Sequence, residues 1–457
     1  MRPLIDTVRD ATWTLNPQTE REASDAIVRN FWLHWFPARL TARSFSFGYS
    51  LWLGTIAAAL FAILTVTGVV LMFLYVPSVE RAYWTVKDLG AAVTFGGIVR
   101  AIHRLAAHLM VAVVFLHMVR VFLTGAFKNA GVSNPAFLPA EASAKAGSAG
   151  GATGANRPLN WLVGVALLLA TLLFSFTGYL LPWDQLAFWA ITVGTNIASA
   201  APVVGKAIRF ALLGGTVIDQ SALLRFYVLH CFALPVAALG LIAYHLWRVR
   251  KDGGLAAVDA LSRQREREEV PPGPTKTYSL LGVVRGQTAS AGRWALKEED
   301  YVDAVPHLVR RLLIVWSVTL LVVVALGMVL PAPLEEPANA LVTPNPAKAP
   351  WYFLWLQELV TDTTVHIGGF TLNGALVGGI LLPGILVLAL AAWPWLDRSS
   401  AAAAGVWFHP SRRTQNLVFL GVVVAVIALT VVGTFLRGPY WNFYWPWDSW
   451  PEMPRRF

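Results

Sequence analysis

Hydrophobic residues gather into seven long blocks, near 50–75, 101–125, 160–181, 226–248, 310–331, 373–396 and 415–437, and most of the charge lies between them. At about 1.5 Å rise per residue, each block is long enough for a helix crossing an apolar layer about 30 Å thick. The pattern predicts an all-α integral membrane protein with seven transmembrane helices, here called the first to seventh spans. A charged stretch containing RQREREE separates the fourth block from the fifth. It divides the chain into an N-terminal segment (1–47), a four-helix domain (48–250), a linker (251–309) and a three-helix C-terminal domain (310–457). Residues 129–157, rich in Gly, Ala and Ser, read as a mobile insertion. Loops 182–225 and 332–372 are apolar and aromatic with several prolines, as expected of segments lying flat at the interface and shaping a site.

Composition agrees. The chain is 56% hydrophobic and 14% charged, against about 25% charged in soluble domains. Twenty tryptophans fit interfacial belts. The net charge of +10 sits in the loops, which argues against a nucleic-acid partner. With the N-terminus inside, the inner segments carry 25 Lys and Arg and the outer segments 10, which predicts a cytoplasmic N-terminus. The polar N-terminus shows no cleavable signal pattern, so the first span is expected to serve as an anchor. A single cysteine, Cys231, excludes a disulfide framework, a cysteine-ligated cluster and a CxxCH haem attachment within this chain.

Four of the nine histidines carry the chemistry: His103 and His117 in the second span, His230 and His245 in the fourth. Their separations of 14 and 15 residues put each pair roughly 21–22 Å apart along its helix. At about 100° per residue, 14 steps fall about 40° short of four turns and 15 overshoot by about 60°. Each pair thus faces broadly one way at two depths, and two such helices side by side offer two bis-histidine haem sites. His108 lies on another face and reads as structural. Glycines repeat the interval: Gly54 and Gly68 in the first span, Gly164 and Gly178 in the third. They serve either small-residue helix packing or clearance for a flat porphyrin. Arg100, Arg104 and Arg120 flank the second-span histidines, either as partners of haem propionates or as snorkelling interfacial cations.

The runs FGGIVRAIHRLAAHLMVAVVFLHMVRVFLTGAFK, TGYLLPWDQLAFWAITVGTN and RFYVLHCFALPVAALGLIAYHLWRVRKDGG resemble the cytochrome b subunit of quinol:cytochrome c oxidoreductases, over nearly all of residues 30–450. The 15-residue interval and the RVFLTGAFK run are closer to the plastid-type branch, with its two chains fused. The resemblance implies two non-covalent b haems, an outer low-potential one on His103 and His230 and an inner high-potential one on His117 and His245. It implies quinol oxidation outside and quinone reduction, for example of menaquinone, inside. Tyr179 and Tyr352 match the oxidation site, with Asp184 and Trp189 in the same loop as Tyr179. Arg250 matches a cation of the reduction site or is a positive-inside anchor, with Asp252 as a candidate proton donor. Implied partners are a Rieske iron–sulfur protein, a cytochrome c-type subunit, the quinone pool, lipid and a second copy of the chain, in a prokaryotic cytoplasmic membrane.

Two departures stand out. The family's Pro-Glu-Trp-Tyr reads here Ala349-Pro350-Trp351-Tyr352, so the glutamate that takes a quinol proton is a proline. Glu358, two helical turns on, either supplies the carboxylate or merely lies at the interface; Asp362 and His366 are weaker candidates. The position of the branch's haem-bonding cysteine is Trp52, so no covalent haem is expected, and Cys231 reads as a small packed hydrophobe. The missing glutamate keeps a second reading open, a dihaem anchor and electron conduit with one quinone site. A transporter with histidine proton relays is a third, and it predicts no haem.

Overall fold

The computed structural model describes residues 39–129, 156–252, 254–255 and 301–451. Most of the N-terminal segment, the Gly/Ala/Ser insertion and the charged linker lie outside the described residues. The described chain is mostly helical. Seven helices are long and apolar enough to cross a membrane: Leu53–Met72, Gly96–Leu123, Arg157–Leu180, Gln220–Lys251, Pro306–Val329, Gly374–Leu396 and Pro410–Leu436. These are the seven spans the hydrophobic pattern predicts. Several begin upstream of the apolar onset because polar caps start them. Asn156, Asp219 and Asn373 accept hydrogen bonds from the backbone N–H groups of Leu159, Ser221 and Leu376, satisfying donors the first turn leaves unpaired.

The first span packs on the second, the second on the third, and the third on the fourth. The last three spans are arranged around this core. The fifth lies against the first and second, the sixth against the third, and the seventh against a short helix, Trp351–Asp362. Gly327 allows the fifth span its approach, since a Cβ there would stand 2.6 Å from Ile102 Cγ1. The sixth is pinned where Trp161 donates its indole N–H to the Leu390 carbonyl at 2.7 Å. Leu321, Leu388 and Val424 on the outer surfaces remain largely exposed, as lipid-facing residues should.

The fourth span is not a regular α-helix. Residues Leu229–Ala233 form a π-helical turn that contains His230. A π turn takes up one extra residue without advancing the helix face. The 15-residue interval from His230 to His245 therefore presents its ends much as the 14-residue interval does in the second span, which removes the angular mismatch calculated from a uniform helix.

The two ends of the bundle are closed differently. At the His103 end, the segment after the third span zips to the segment after the fifth: Gln185 N–H donates to Glu336 O at 2.8 Å, Ala338 N–H to Trp183 O at 3.2 Å, and Asn339 N–H to Gln185 Oε1 at 2.7 Å. Asp184 caps helix Gln185–Ser199 through Ala187 N–H at 2.9 Å and also accepts from Glu335 N–H at 3.3 Å. At the His117 end, Arg412 is fully buried and holds Asp397 at 2.9 Å, while Lys128 meets the same carboxylate at 3.2 Å. Strand Arg39–Thr41 pairs antiparallel with Tyr301–Asp303, joining the N-terminal region to the start of the fifth span.

Candidate functional site

One continuous cavity of about 1330 Å³ runs through the four-helix core. It exceeds the roughly 300–1,000 Å³ of a single small-ligand pocket. All four predicted histidines and all four predicted glycines line it.

The histidines face one another in pairs. The ring centroids of His103 and His230 are 6.3 Å apart, and those of His117 and His245 are 6.4 Å apart. An imidazole nitrogen bonds a metal at about 2.0 Å, and the ring centre lies about 1.1 Å beyond, so two coaxial imidazoles on one iron have centres roughly 6.3 Å apart. Both pairs fit that separation. Each glycine meets one ligand ring: Gly54 faces His117, Gly68 faces His103, Gly164 faces His245 and Gly178 faces His230. Added Cβ atoms would stand 3.3, 3.2, 3.8 and 2.5 Å from the nearest imidazole carbon. The glycine repeat thus makes room for the histidine rings themselves, a closer reason than porphyrin clearance alone.

The two pairs differ in their support. Thr67 Oγ1 donates to the Ile63 carbonyl at 2.7 Å and lies 2.9 Å from His103 Nδ1. Thr177 Oγ1 donates to Leu173 O at 2.8 Å and lies 3.1 Å from His230 Nδ1. A hydroxyl has one proton, and here it is spent on the backbone, so each threonine accepts from Nδ1–H and leaves Nε2 bare for a metal. Among the described residues, His117 Nδ1 is buried without a hydrogen-bond partner, and His245 has the backbone of Asn160 near it, outside hydrogen-bond geometry at Nδ1. Sequence reasoning missed both threonines. Their signal was present in the dipeptides Thr67-Gly68 and Thr177-Gly178.

Arg120 is buried, stacks over the Tyr49 ring at 4.5 Å, and leaves Nη2 without a partner. An orphaned guanidinium nitrogen beside the His117 pair suits an anionic haem propionate. Arg100 is instead committed to the Ala332 and Pro333 carbonyls at 2.8 and 2.6 Å, so it holds protein backbone. Arg104 is exposed and lines the cavity at the same end.

The remaining candidates separate. Tyr179, Asp184 and Tyr352 line the cavity at the His103 end. Burial pushes the Tyr352 phenol up to about 12, against an opposing hydrogen bond to Ser175. Burial also raises Asp184, but both its oxygens are held by the backbone contacts described above. Trp189 donates its indole N–H to Val342 O at 3.0 Å and so pins the loop.

Glu358 does not line the cavity. It is buried and clamped by Arg437, whose Nε lies 2.9 and 3.1 Å from its two oxygens and whose Nη2 also contacts it, with Asp362 3.5 Å from Nη2. The ion pair ties helix Trp351–Asp362 to the end of the seventh span. His366 sits on an exposed hairpin, its Nδ1 2.9 Å from Thr371 Oγ1. At the other end Arg250 and Asp252 line the cavity, but Asp252 is buried and bonded to Arg248 Nη2 and Asn156 N–H at 2.9 and 3.1 Å. These contacts clamp the third span to the fourth. Trp52 lines the cavity with its indole nitrogen buried and unpartnered. Cys231 follows His230 in the π turn and is partly buried.

Seven apolar spans around facing histidine pairs define a membrane electron-transport protein of the b-cytochrome class. The comparisons agree. Family models described as "Cytochrome b/b6/petB", "Cytochrome b(N-terminal)/b6/petB" and "Cytochrome b(C-terminal)/b6/petD" match residues 39–133, 150–337 and 337–444. Cytochrome b6 of Tupiella akineta is 38% identical over 201 residues, covering 44% of this chain and 81% of that protein. Cytochrome b6 of Heliobacterium modesticaldum is 36% identical over 201 residues, covering 44% and 82%. A chain of a solved hyperthermophilic respiratory complex III shares the fold, with TM-score 0.64 and 21% identity over 94% of this chain and 91% of that one. The chain belongs to the cytochrome b/b6 family, with the b6-like and petD-like parts in one polypeptide.

Proposed function

We propose that this chain is the cytochrome b subunit of a respiratory or photosynthetic quinol:cytochrome c oxidoreductase, acting with a Rieske iron–sulfur protein and a cytochrome c-type subunit as a homodimer within a larger complex. The observation that carries the reading is the pair of imidazole separations, each matching two axial ligands on one iron. Bound haem b supplies one-electron transfer at each level. His103 with His230, and His117 with His245, are the residues that would hold the iron. Thr67 and Thr177 set the ligand tautomer at the first site, and Arg120 meets a propionate at the second, with Arg104 as the free cation at the other end. An Nδ1–H bonded to an acceptor makes an imidazole a stronger donor and favours ferric iron. With haem bound, the threonine-supported site would be the lower-potential one, which favours the His103 end as the donor and the His117 end as the acceptor.

In this reading quinol binds at the His103 end beside Tyr179 and Tyr352, facing the outer compartment. Quinone binds at the His117 end near Arg250, facing the cytoplasm with the N-terminus. The Lys and Arg asymmetry of the loops supports that orientation. Electron transfer between the two ends, coupled to proton release outside and uptake inside, translocates protons.

The test is a purified complex assayed for quinol:cytochrome c reductase activity and for oxidant-induced reduction of the b haems, together with its reduced-minus-oxidised spectrum. Inhibitor-sensitive turnover with two b haems per chain is expected. No b-type band would sink the reading outright and favour a transporter. Two haems without turnover or oxidant-induced reduction would favour the alternative, a dihaem electron conduit with one quinone site, which the proline at position 350 keeps in view.

A further inference from the structure

Pro350 leaves the helix Trp351–Asp362 without an acidic residue in its first turn, yet that helix still reaches the cavity at the His103 end through Tyr352. What meets it there is His108 of the second span. Trp351 donates its indole N–H to His108 Nδ1 at 3.0 Å. The Tyr352 ring packs edge-on against the same imidazole, with centroids 5.6 Å apart. His108 lines the cavity with Tyr179, Tyr352 and Arg104.

An indole nitrogen can only donate. By occupying Nδ1 with a donor, Trp351 fixes the neutral His108 tautomer, with its proton on Nε2. Among the described residues Nε2 has no hydrogen-bond partner, and unlike His117 Nδ1 it is not a buried orphan. The cavity therefore offers one oriented N–H beside two tyrosine rings. Such a donor recognises an oxygen acceptor on a flat ring.

We propose that His108 is a substrate-binding residue of the outer site, whose Nε2–H donates a hydrogen bond to an oxygen of the quinone or quinol head group, with Trp351 as the residue that positions it. The proposal rests on the quinol-oxidation reading and adds to it a recognition group supplied by the second span. It assigns His108 donation only, and the proton lost on quinol oxidation goes elsewhere.

The experiment compares the wild-type complex with His108→Leu, His108→Gln and Trp351→Phe. Haem spectra are recorded first, then KM and kcat for a short-chain quinol, then binding of the matching quinone by quenching of tryptophan fluorescence. Gln can present an amide N–H near the Nε2 position, whereas Leu cannot. His108→Leu should raise KM, and weaken quinone binding, about tenfold, as loss of one hydrogen bond predicts, with both haem signals kept. His108→Gln should stay within about threefold of wild type, and Trp351→Phe should fall between the two. A merely structural histidine would not be rescued by Gln alone. Wild-type KM and binding in His108→Leu overturn the proposal, as does equal impairment in Leu and Gln. If the wild-type protein binds quinone but does not oxidise quinol, the functional reading fails while the binding series still decides on His108.

Discussion

Gly178→Ala offers a sharp test of the haem sites because its control lies in the same span. An alanine Cβ at position 178 would stand 2.5 Å from His230 Cε1 and 3.0 Å from Nε2. Ordinary contact begins near 3.4 Å, so the imidazole must retreat by roughly 0.9 Å. Metal–ligand distances tolerate only about 0.2 Å, and overpacking of this kind costs about 1–3 kcal/mol before any bond to iron is lost. The π turn gives the backbone little scope to yield without rotating His230 away from His103. At Gly164 the same methyl would lie 3.8 Å from His245 Cε1, an ordinary contact. Gly68 and Gly54, at 3.2 and 3.3 Å, need shifts of only a few tenths of an ångström. Gly178→Ala should therefore lose the haem of the His103 end and keep the other, while Gly164→Ala keeps both and the remaining two variants keep both with small spectral shifts. Haem-to-protein ratio by the pyridine haemochrome assay, with low-temperature spectra to tell the sites apart, measures this. Full haem content and a native spectrum in Gly178→Ala would refute the reasoning. So would loss of haem in Gly164→Ala.

Four other outcomes are expected. Thr177→Val removes the acceptor from His230 Nδ1 and should raise the midpoint potential of the His103-end haem in a redox titration, leaving the other unmoved; an unchanged or lowered potential counts against the threonine's role. Arg412→Met leaves the Asp397 carboxylate with Lys128 and the Ser399 N–H and strips a donor from the Phe122 carbonyl, which should cost about 3–5 kcal/mol and lower thermal stability in detergent. For Asp397 itself, burial pushes the carboxyl up, but Ser399 and Arg412 outweigh it and hold it at about 2. A depressed native value means stability present above the ordinary carboxylate range and lost as pH falls from about 4 toward 2, so Asp397→Asn should flatten melting temperature across that window. Glu358→Gln should leave turnover of the folded complex within about twofold while lowering its thermal stability, because the residue balances a buried cation; selective loss of turnover at native stability would return it to the chemistry.

How much of this was legible beforehand varies by element. The spans were readable because a membrane demands long unbroken apolar runs, and the facing of the histidines in pairs because intramembrane histidines are rare and these are regularly spaced. The glycines were readable as a repeat, but their partners were not, since only the packed structure shows that each faces an imidazole. The pairings of Glu358 and Asp252 were not read from the sequence. A carboxylate's chemistry depends on its neighbour, and the neighbours Arg437 and Arg248 are paired with them by the fold. Arg437 is 79 residues from Glu358, beyond any local pattern. The contact that singles out His108 was hidden in the same way, because it comes from Trp351, 243 residues away.

The wide turn at Leu229–Ala233 has a consequence beyond the spacing it repairs. In a uniform helix, how high a side chain sits and which way it points are locked together, because both follow from one residue count. Here the π turn takes a step of its own in both, so the placement of His230 relative to His245 no longer follows from the residue count alone. The protein thereby gains an adjustment that substitution alone cannot supply. It can set the bearing of His230 without moving His245 on the same span, so the two histidine pairs can be adjusted one at a time.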